Sequence, residues 1–472
     1  MMRKWFPAEL AAIALAAMLV LPGMMTNVGG QVYVRRIVKE SGETEAFGGG
    51  EYVGIRFGLD SLFAVVYGTD ENPNSIVIFA SVNRYLGRAT VLDENHAALA
   101  MRRPLIVRTI YAIRLSALFE FNDTNGDGIC NVVRLADGLE VSDLARHEPI
   151  YKAVDLRTAW ERGKVTAAGN ATERWKSWEF TLTARNLSYI SMDGTDTNDT
   201  LGMVRFRFRL MAYLTEETVE APRYRLIVES PMSNHQGGMM TDDLSVLDAD
   251  VIETENEGTE NVTIDVLRYR TKVDHIIEGW DIDPTNANPG LLLETHSTLG
   301  NAMSYAMLAW VRDQHREGTT AYETENGTEE IDGTDATTDY AEDQRPRRLK
   351  HPRMDVNDAW GRVGRFTWTK NVSVTRGNST SEEEMYYQVQ CGRRVTWVDD
   401  RGLYSGYYVL GGFSYPAGDR VVHDPEMEAK SYGQEYAREE EPLINEGMIM
   451  AVLLFIIIVV AIPILVILFR KL

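Results

Sequence analysis

The residues best suited to bind a ligand lie in a short run of acids, amides and glycines after position 121. Asp123, Asn125 and Asp127 occupy alternate positions, and Gly128 stands at the sixth place, where a chain that wraps a cation must turn sharply. Hard Ca²⁺ prefers six to eight oxygen ligands, which carboxylates, amides and backbone carbonyls supply. The spacing therefore predicts a structural Ca²⁺ site with candidate ligands Asp123, Asn125, Asp127, Ile129 (through its carbonyl) and Asn131.

This run resembles the first half of an EF-hand or dockerin-type calcium loop. It departs from that pattern at the twelfth place, where Arg134 replaces the bidentate acid, so Asp137 or Glu140 would have to close the site. Asn122 begins a glycosylation sequon, and a glycan there would crowd the loop. A plain turn of Asx and glycine residues without metal is the alternative interpretation.

Signals for catalysis are mostly negative. The chain has no H-E-x-x-H zinc motif, no G-x-S-x-G elbow, no phosphate-binding glycine loop and no dinucleotide fingerprint. Two further acidic clusters, at 193–199 and 281–288, are explained by turn chemistry. The pair Glu294 and His296 and the pair His423 and Asp424 indicate structural roles. The sequence therefore predicts no enzyme, although paired carboxylates for glycoside cleavage are assembled by the fold and leave no spacing signal.

The composition limits the partners and the compartment. The 472-residue chain has 69 Asp and Glu against 48 Lys and Arg, a net charge of −21. This excess argues against a nucleic-acid partner, because phosphates repel carboxylates, and it fits solubility, cation binding or a high-salt setting. The two cysteines, Cys130 and Cys391, predict either one long-range disulfide outside the cell or two buried thiols.

Both ends of the chain predict membrane targeting. Residues 448–469 carry no charge and are long enough to span a hydrocarbon core as a helix. Arg470 and Lys471 follow this segment and acids precede it, which places the tail at 470–472 in the cytoplasm and most of the chain outside. Residues 1–30 predict a cleaved secretory signal peptide, with an uncleaved signal anchor as the alternative.

Eight N-x-S/T sequons lie between the two apolar ends, where the acceptors of an exposed glycoprotein belong. They predict glycosylation at Asn122, Asn170, Asn186, Asn198, Asn261, Asn326, Asn371 and Asn378.

The region between the ends predicts a mainly β fold. Short runs rich in β-branched and aromatic residues alternate with turn clusters, and residues 204–210 alternate arginine with Phe or Leu at period two. We expect two β-sandwich-like extracellular domains, at 31–240 and 241–423, followed by a stalk at 424–447 and the transmembrane helix.

Three segments of the second half carry local predictions. Residues 298–315 place apolar side chains at spacings near three and four, which predicts an amphipathic helix. The acidic, Thr-rich stretch at 317–343 has few large apolar residues and predicts a flexible loop. Residues 407–416 combine aromatics with a glycine pair, which predicts a strand that bends at a bulge, with a sugar-stacking surface as the alternative.

The chain resembles archaeal membrane-anchored cell-surface proteins in its signal, its sequons and its single C-terminal anchor. Three of its segments also resemble stretches of these proteins: FNDTNGDGICN, IEGWDID and YYVLGGFSYPAGDRVVHDP. The resemblance implies surface exposure and β domains, and it transfers no catalytic or binding residue. We expect a glycosylated surface protein with a structural, envelope or adhesion role, stabilised by Ca²⁺ and in contact with envelope proteins or glycans. A carbohydrate- or solute-binding receptor is the alternative, and an anchored extracellular hydrolase is third.

Overall fold

The computed structural model confirms the mainly β fold, since every regular element that it describes is a strand. It describes residues 37–43, 50–57, 61–92, 98–130, 148–170, 174–191, 196–228, 251–302, 319–324, 327–332, 347–358, 361–399 and 402–432. None of these residues forms a helix long and apolar enough to cross a membrane. The predicted signal at 1–30 and the predicted helix at 448–469 lie outside the described ranges.

The described residues form 23 strands. In chain order they are β1 Ile37–Glu43, β2 Glu51–Phe57, β3 Ser61–Tyr67, β4 Ile76–Leu92, β5 Ala98–Asn122, β6 Ile150–Asp155, β7 Glu161–Arg162, β8 Thr166–Asn170, β9 Trp175–Ser191, β10 Asp196–Val228, β11 Val251–Glu278, β12 Pro289–Ala302, β13 Thr319–Thr324, β14 Gly327–Asp332, β15 Arg347–Arg348, β16 Arg353–Asp358, β17 Gly361–Thr367, β18 Asn371–Arg376, β19 Ser379–Glu384, β20 Tyr386–Asp399, β21 Gly402–Pro416, β22 Arg420–His423 and β23 Glu426–Tyr432.

Strand β10 confirms the period-two pattern of its sequence. Phe206 and Phe208 are fully buried, whereas Arg207 and Arg209 between and after them are exposed. Successive side chains of a strand point to opposite faces, so this alternation gives β10 one apolar face for a core and one charged face for solvent. On the charged face Glu179 of β9 is paired with both arginines.

The strands join into one hydrogen-bonded network. Its longest ladder pairs β10 with β11 antiparallel, from Met203 opposite Glu278 to Val228 opposite Val251. A second series, β3–β4–β5–β12–β21–β20, is antiparallel at every step. The two series meet where β10 pairs parallel with β4, beginning at Arg223 opposite Arg88.

Side chains from both series pack into a common hydrophobic cluster. Phe63 of β3 stacks on Tyr269 of β11 at 5.4 Å between ring centroids. The predicted domain boundary near position 240 lies outside the described residues, and strands on both of its sides contribute to this cluster. The division into two β-sandwich-like domains at 31–240 and 241–423 stays a prediction.

Two local predictions are wrong where the structure describes the residues. Residues 298–302 continue strand β12 and do not start a helix, because β12 pairs with β5 on one side and β21 on the other along its whole length. Within the stretch 317–343, predicted to be a flexible loop, β13 and β14 form an antiparallel hairpin, and β13 also pairs with β16. In both places backbone pairing with distant strands decides the local structure.

The glycine pair of β21 serves close strand packing. A Cβ at Gly411 would lie 2.7 Å from the Gln388 carbonyl oxygen, and one at Gly412 would lie 2.7 Å from Leu292 Cδ1. Strand β21 keeps its register with β12 through this pair, and the bulge lies on β20 between Val389 and Cys391. The predicted bulge is therefore on the neighbouring strand.

Truncating an inward side chain of β10 tests this core. Phe206→Ala should lower the free energy of unfolding by about 3–5 kcal/mol, because it removes a fully buried ring and leaves a cavity. Ile190→Ala, at an exposed position of β9, should change it by less than about 0.5 kcal/mol. Chemical denaturation of both variants measures the difference, and equal effects would contradict the assigned burial.

Candidate metal site

The candidate calcium loop follows directly from the end of β5. Asn122 N–H donates to the Pro149 carbonyl at 3.0 Å, and Asp123 N–H donates to the Asn288 carbonyl at 2.9 Å. These two bonds place the loop between the chain that enters β6 and the chain that enters β12. The loop position is therefore set by segments that are remote in sequence.

The carboxylate of Asp123 organises the turn. Its Oδ1 accepts the N–H groups of Gly126 at 2.8 Å and Asp127 at 3.1 Å, and its Oδ2 accepts the N–H of Gly128 at 2.9 Å. Gly126 and Gly128 have φ of 72° and 76°, the left-handed region in which glycine is unstrained. The loop thus wraps around its first acid, as the spacing predicts.

Asn125 and Asp127 also accept backbone bonds. Asn125 Oδ1 accepts the Asp127 N–H at 2.8 Å, and Asp127 Oδ1 accepts the Ile129 N–H at 3.0 Å. Asn125 Nδ2 donates to Asp127 Oδ2 at 2.9 Å. These bonds are Asx turns, so turn chemistry by itself accounts for both side chains. Each oxygen retains further lone-pair capacity for a cation.

Glu148 joins the site from outside the loop. It is buried, and its Oε1 accepts the Thr124 N–H at 3.0 Å. Carboxylate oxygens of Asp123, Asp127 and Glu148 lie within 4.8 Å of one another. Three acids this close repel one another when ionised, and a divalent cation between them relieves the repulsion. The donor set therefore suits Ca²⁺.

Sequence reasoning missed Glu148, because a carboxylate this far beyond the loop leaves no spacing signal. Its position follows from the bond between Asn122 and Pro149, which brings the start of β6 beside the loop. The other ligand candidates Asn131, Asp137 and Glu140, and also Arg134, lie outside the described residues. The Ile129 carbonyl stays a predicted ligand.

The C-terminal end of the loop is held by β20. Gln388 Oε1 accepts the Cys130 N–H, and Gln388 Nε2 donates to the Cys130 carbonyl, both at 2.7 Å. Arg348 donates to the Asp127 carbonyl at 3.2 Å and lies 4.3 Å from the centre of the Tyr386 ring. The loop is therefore anchored on both sides.

The cysteine pair stays a prediction. Cys130 is buried in a small cluster with Phe119, Phe121 and Leu292. The backbone of Cys391 lies on β20, where it pairs with Leu410 of β21. Gln388, which bonds Cys130, pairs with Gly412 of β21. The side chain of Cys391 lies outside the described residues.

A buried carboxylate, Glu120, supports the neighbouring loop at 281–288. It is fully buried, and Trp280 Nε1 donates to its Oε2 at 2.9 Å. Its Oε1 accepts the Asp283 N–H and the Asn286 Nδ2, each at 3.0 Å. Lys152 Nζ lies 3.7 Å from Oε2 and supplies the compensating charge. A buried charge is tolerated only with such partners.

The 281–288 cluster functions as a turn. Asp283 Oδ1 accepts both the hydroxyl of Thr285 at 2.6 Å and its N–H at 2.8 Å. The hydroxyl bond, followed by the N–H bond, lowers the pKa of Asp283. Asn286 is engaged by Glu120 and by the Phe121 carbonyl. The turn interpretation accounts for the acids and amides named here without a metal.

Two other candidate features have the following geometry in the described residues. Ser116 Oγ donates to Glu294 Oε2 at 2.6 Å, and His296 Nε2 lies 3.3 Å from the same oxygen. The serine therefore bonds the acid and not the histidine, which is not the geometry of an activated nucleophile. Phe413 and Tyr415, part of the segment that left a sugar-stacking surface open, are buried.

No protein-family model matches this chain, and no curated protein matches it either. The functional argument therefore depends on the sequence and on this geometry.

Removing one hydrogen-bond donor to Glu120 tests how strongly that carboxylate stabilises the loop at 281–288. Trp280→Phe should lower the free energy of unfolding by about 1.5–3 kcal/mol beyond the packing loss, because a hydrogen bond to a buried charge disappears. Trp368→Phe is the matched control, since Trp368 is also buried and its indole makes no hydrogen bond within the described part of the chain. Denaturant titration gives both values, and equal losses would contradict the prediction.

Proposed function

We propose that this chain is a glycosylated, calcium-stabilised cell-surface protein with a structural, envelope or adhesion role. In this proposal β-sandwich-like packing forms the extracellular mass, residues 1–30 are a signal peptide or anchor, and residues 448–469 are the single membrane anchor. The observation that carries the calcium part is the convergence of Asp123, Asp127 and Glu148 at one loop.

The geometry of the loop suits a structural cation better than a catalytic one. Asp123 accepts three backbone N–H groups of the loop, so hydrogen bonds within the loop help to hold its turn. A preordered loop loses little conformational entropy on binding. The Gln388 and Pro149 contacts tie the loop to β20 and to the start of β6. A bound Ca²⁺ would therefore cross-link strands that are distant in sequence.

The exposure of the sequons supports the extracellular assignment. Asn186, Asn261, Asn371 and Asn378 are exposed on the strand surface or in a turn, as glycan acceptors must be. Asn122 is only half exposed, and its Oδ1 is buried. This distribution leaves room for glycans around the β network and disfavours one beside the calcium loop.

Calcium should stabilise the protein and chelator should destabilise it. At about 10 mM Ca²⁺, roughly ten times the weakest dissociation constant of extracellular calcium modules, the gain in the free energy of unfolding should be about 1.4 kcal/mol. Asp127→Asn and Glu148→Gln should abolish this gain, because each removes a charged ligand. Thermal unfolding of the full chain with Ca²⁺ or EGTA measures it.

The control for this experiment is Asp70→Asn, which changes an exposed acid outside the loop and should keep the full calcium response. No response in the unmodified chain would reject the calcium part of the proposal. A response that survives in Glu148→Gln would reject Glu148 as a ligand.

Glycan occupancy should follow exposure. Glycopeptide mass spectrometry of the protein from its native membrane should find glycans at Asn186, Asn261, Asn371 and Asn378 and none at Asn122. Replacing each acceptor by Gln should remove one glycan mass at a time. Unmodified peptides at all four exposed positions would contradict the surface assignment.

A further inference from the structure

Two histidines and a tyrosine form a hydrogen-bonded chain inside the core, far from the calcium loop in sequence. His275 Nδ1 lies 2.9 Å from the Tyr415 hydroxyl, and the same hydroxyl lies 3.1 Å from His423 Nδ1. His423 Nε2 lies 3.1 Å from the Thr369 carbonyl oxygen. All three side chains are almost fully buried. We call His275, Tyr415 and His423 the imidazole–phenol chain.

When both imidazoles are neutral, the direction of every bond in the imidazole–phenol chain follows from the bond to Thr369. A carbonyl oxygen only accepts, so His423 Nε2 must carry a proton and donate to Thr369. Neutral His423 then has a bare Nδ1, which accepts the Tyr415 O–H. The Tyr415 oxygen in turn accepts from His275 Nδ1–H. In this neutral arrangement each imidazole is locked in one tautomer.

The surroundings of the chain oppose charge. The Phe206 and Phe413 rings lie 5.2 and 5.3 Å from the His275 ring, and Phe413 also lies 5.2 Å from His423. Burial lowers the pKa of His423 to about 4. Burial, and then the charge of His423, hold the pKa of His275 well below its ordinary value.

Few ionisable groups face the imidazole–phenol chain from the strands and turns packed around it. Asp424 lies next to His423 and raises its pKa slightly, but Asp424 is itself bonded to Lys272 of β11 and to the Thr369 hydroxyl. Tyr415 is a member of the chain. From β20, Tyr387 contacts Phe413 and stays a neutral phenol, because burial raises its pKa to about 12. Among the described residues, Asp424 is therefore the one acid whose charge acts on either imidazole, and it is already paired with Lys272.

One added proton can be accommodated, and a second cannot. A first proton on His423 Nδ1 makes that atom the donor, and the Tyr415 O–H reverses to donate to His275 Nδ1, whose proton moves to Nε2. With two protons both Nδ1 atoms are donors, so the Tyr415 O–H loses its acceptor. Two imidazolium rings would then lie with centroids 5.9 Å apart in an apolar core.

The loss of the Tyr415 hydrogen bonds should affect strand β22 most. This strand has four residues and pairs with β11 only from His423 opposite His275 to Arg420 opposite Glu278. Its other neighbour, β18, contributes three register pairs, from Ser373 to Thr375. The histidine pair is therefore the last pair of the β11–β22 ladder, and β23 resumes the pairing with β11 at Glu426 opposite Lys272. The Thr369 carbonyl that His423 contacts lies just before β18.

We propose that the imidazole–phenol chain is an acid-responsive switch, in which double protonation breaks the bonds at Tyr415 and releases β22 and the Thr369 turn from β11. The proposal is independent of the calcium site. For a protein exposed to the medium, it makes the local packing of this region depend directly on external pH.

The sign of the pH dependence follows from the depressed pKa values. We call the state in which β22 is released from β11 the open state, and the state in which they are paired the closed state. Between the ordinary histidine pKa of about 6.5 and a folded value of about 4, the open state binds more protons than the closed state. The closed state is therefore fully stable above about pH 6.5, and it loses stability as the pH falls towards 4. Two linked protons make the opening equilibrium change up to about 100-fold per pH unit.

Hydrogen exchange read by mass spectrometry on the full chain tests the switch. The quantity measured is the opening constant of peptides covering 369–376 and 415–424, after correction for intrinsic exchange rates. As the pH falls from about 6 to about 4.5, this constant should rise by up to about 100-fold per pH unit, the slope expected when opening binds two protons. His275→Asn keeps a donor near the Nδ1 position and removes one titrating group, so the rise should fall to about tenfold per pH unit. His351→Asn changes an exposed histidine and should leave the steepness unchanged.

Two further results complete the test. Tyr415→Phe should increase opening at pH 7 roughly tenfold, because both imidazoles lose their hydroxyl partner. If His275→Asn does not fold, the unmodified protein still tests the proposal. The pH dependence of opening in its β22 peptides is then compared with that in its β3 and β4 peptides, which serve as internal controls. Equal pH dependence in β22 and in β3, or an unchanged steepness in His275→Asn, would overturn the proposal.

Discussion

The antiparallel ladder between β10 and β11 is the constraint on which most of this structure depends. Buried backbone N–H and C=O groups must find partners, so a ladder that runs from Met203 to Val228 commits both halves of the chain to one arrangement. Its inward side chains include Phe206 and Tyr269, and these contact Trp160 and Phe63 from other parts of the chain. The same ladder places His275 where it meets Tyr415 and His423.

Buried polar side chains then decide where the loops at the strand ends lie. Glu120 holds the backbone of Asp283, and Gln388 holds the backbone of Cys130. In an apolar interior each of these groups is costly when unsatisfied, so a fully bonded set favours one loop arrangement over its alternatives. The candidate calcium loop and the turn beside it depend on this second level of organisation.

The molecule places its two kinds of ionisable cluster in opposite environments. At the candidate calcium loop Asp123 and Asp127 are partly exposed and Glu148 is buried, in a chain with net charge −21. The histidines lie in the core, where burial keeps them neutral. In our two proposals, divalent cations and pH act on different strands, the first at the end of β5 and the start of β6 and the second at β22.

Local periodicity and glycine conformation are enough to predict the strand class, the face of β10 and the turn around Asp123. The sequence by itself did not determine that residues 298–302 are a strand, or that Glu148 meets Asp123 and Asp127. Those outcomes depend on pairing between remote segments, which leaves no local pattern. The imidazole–phenol chain belongs to the second group too, since His275, Tyr415 and His423 become neighbours only when β11, β21 and β22 pack together.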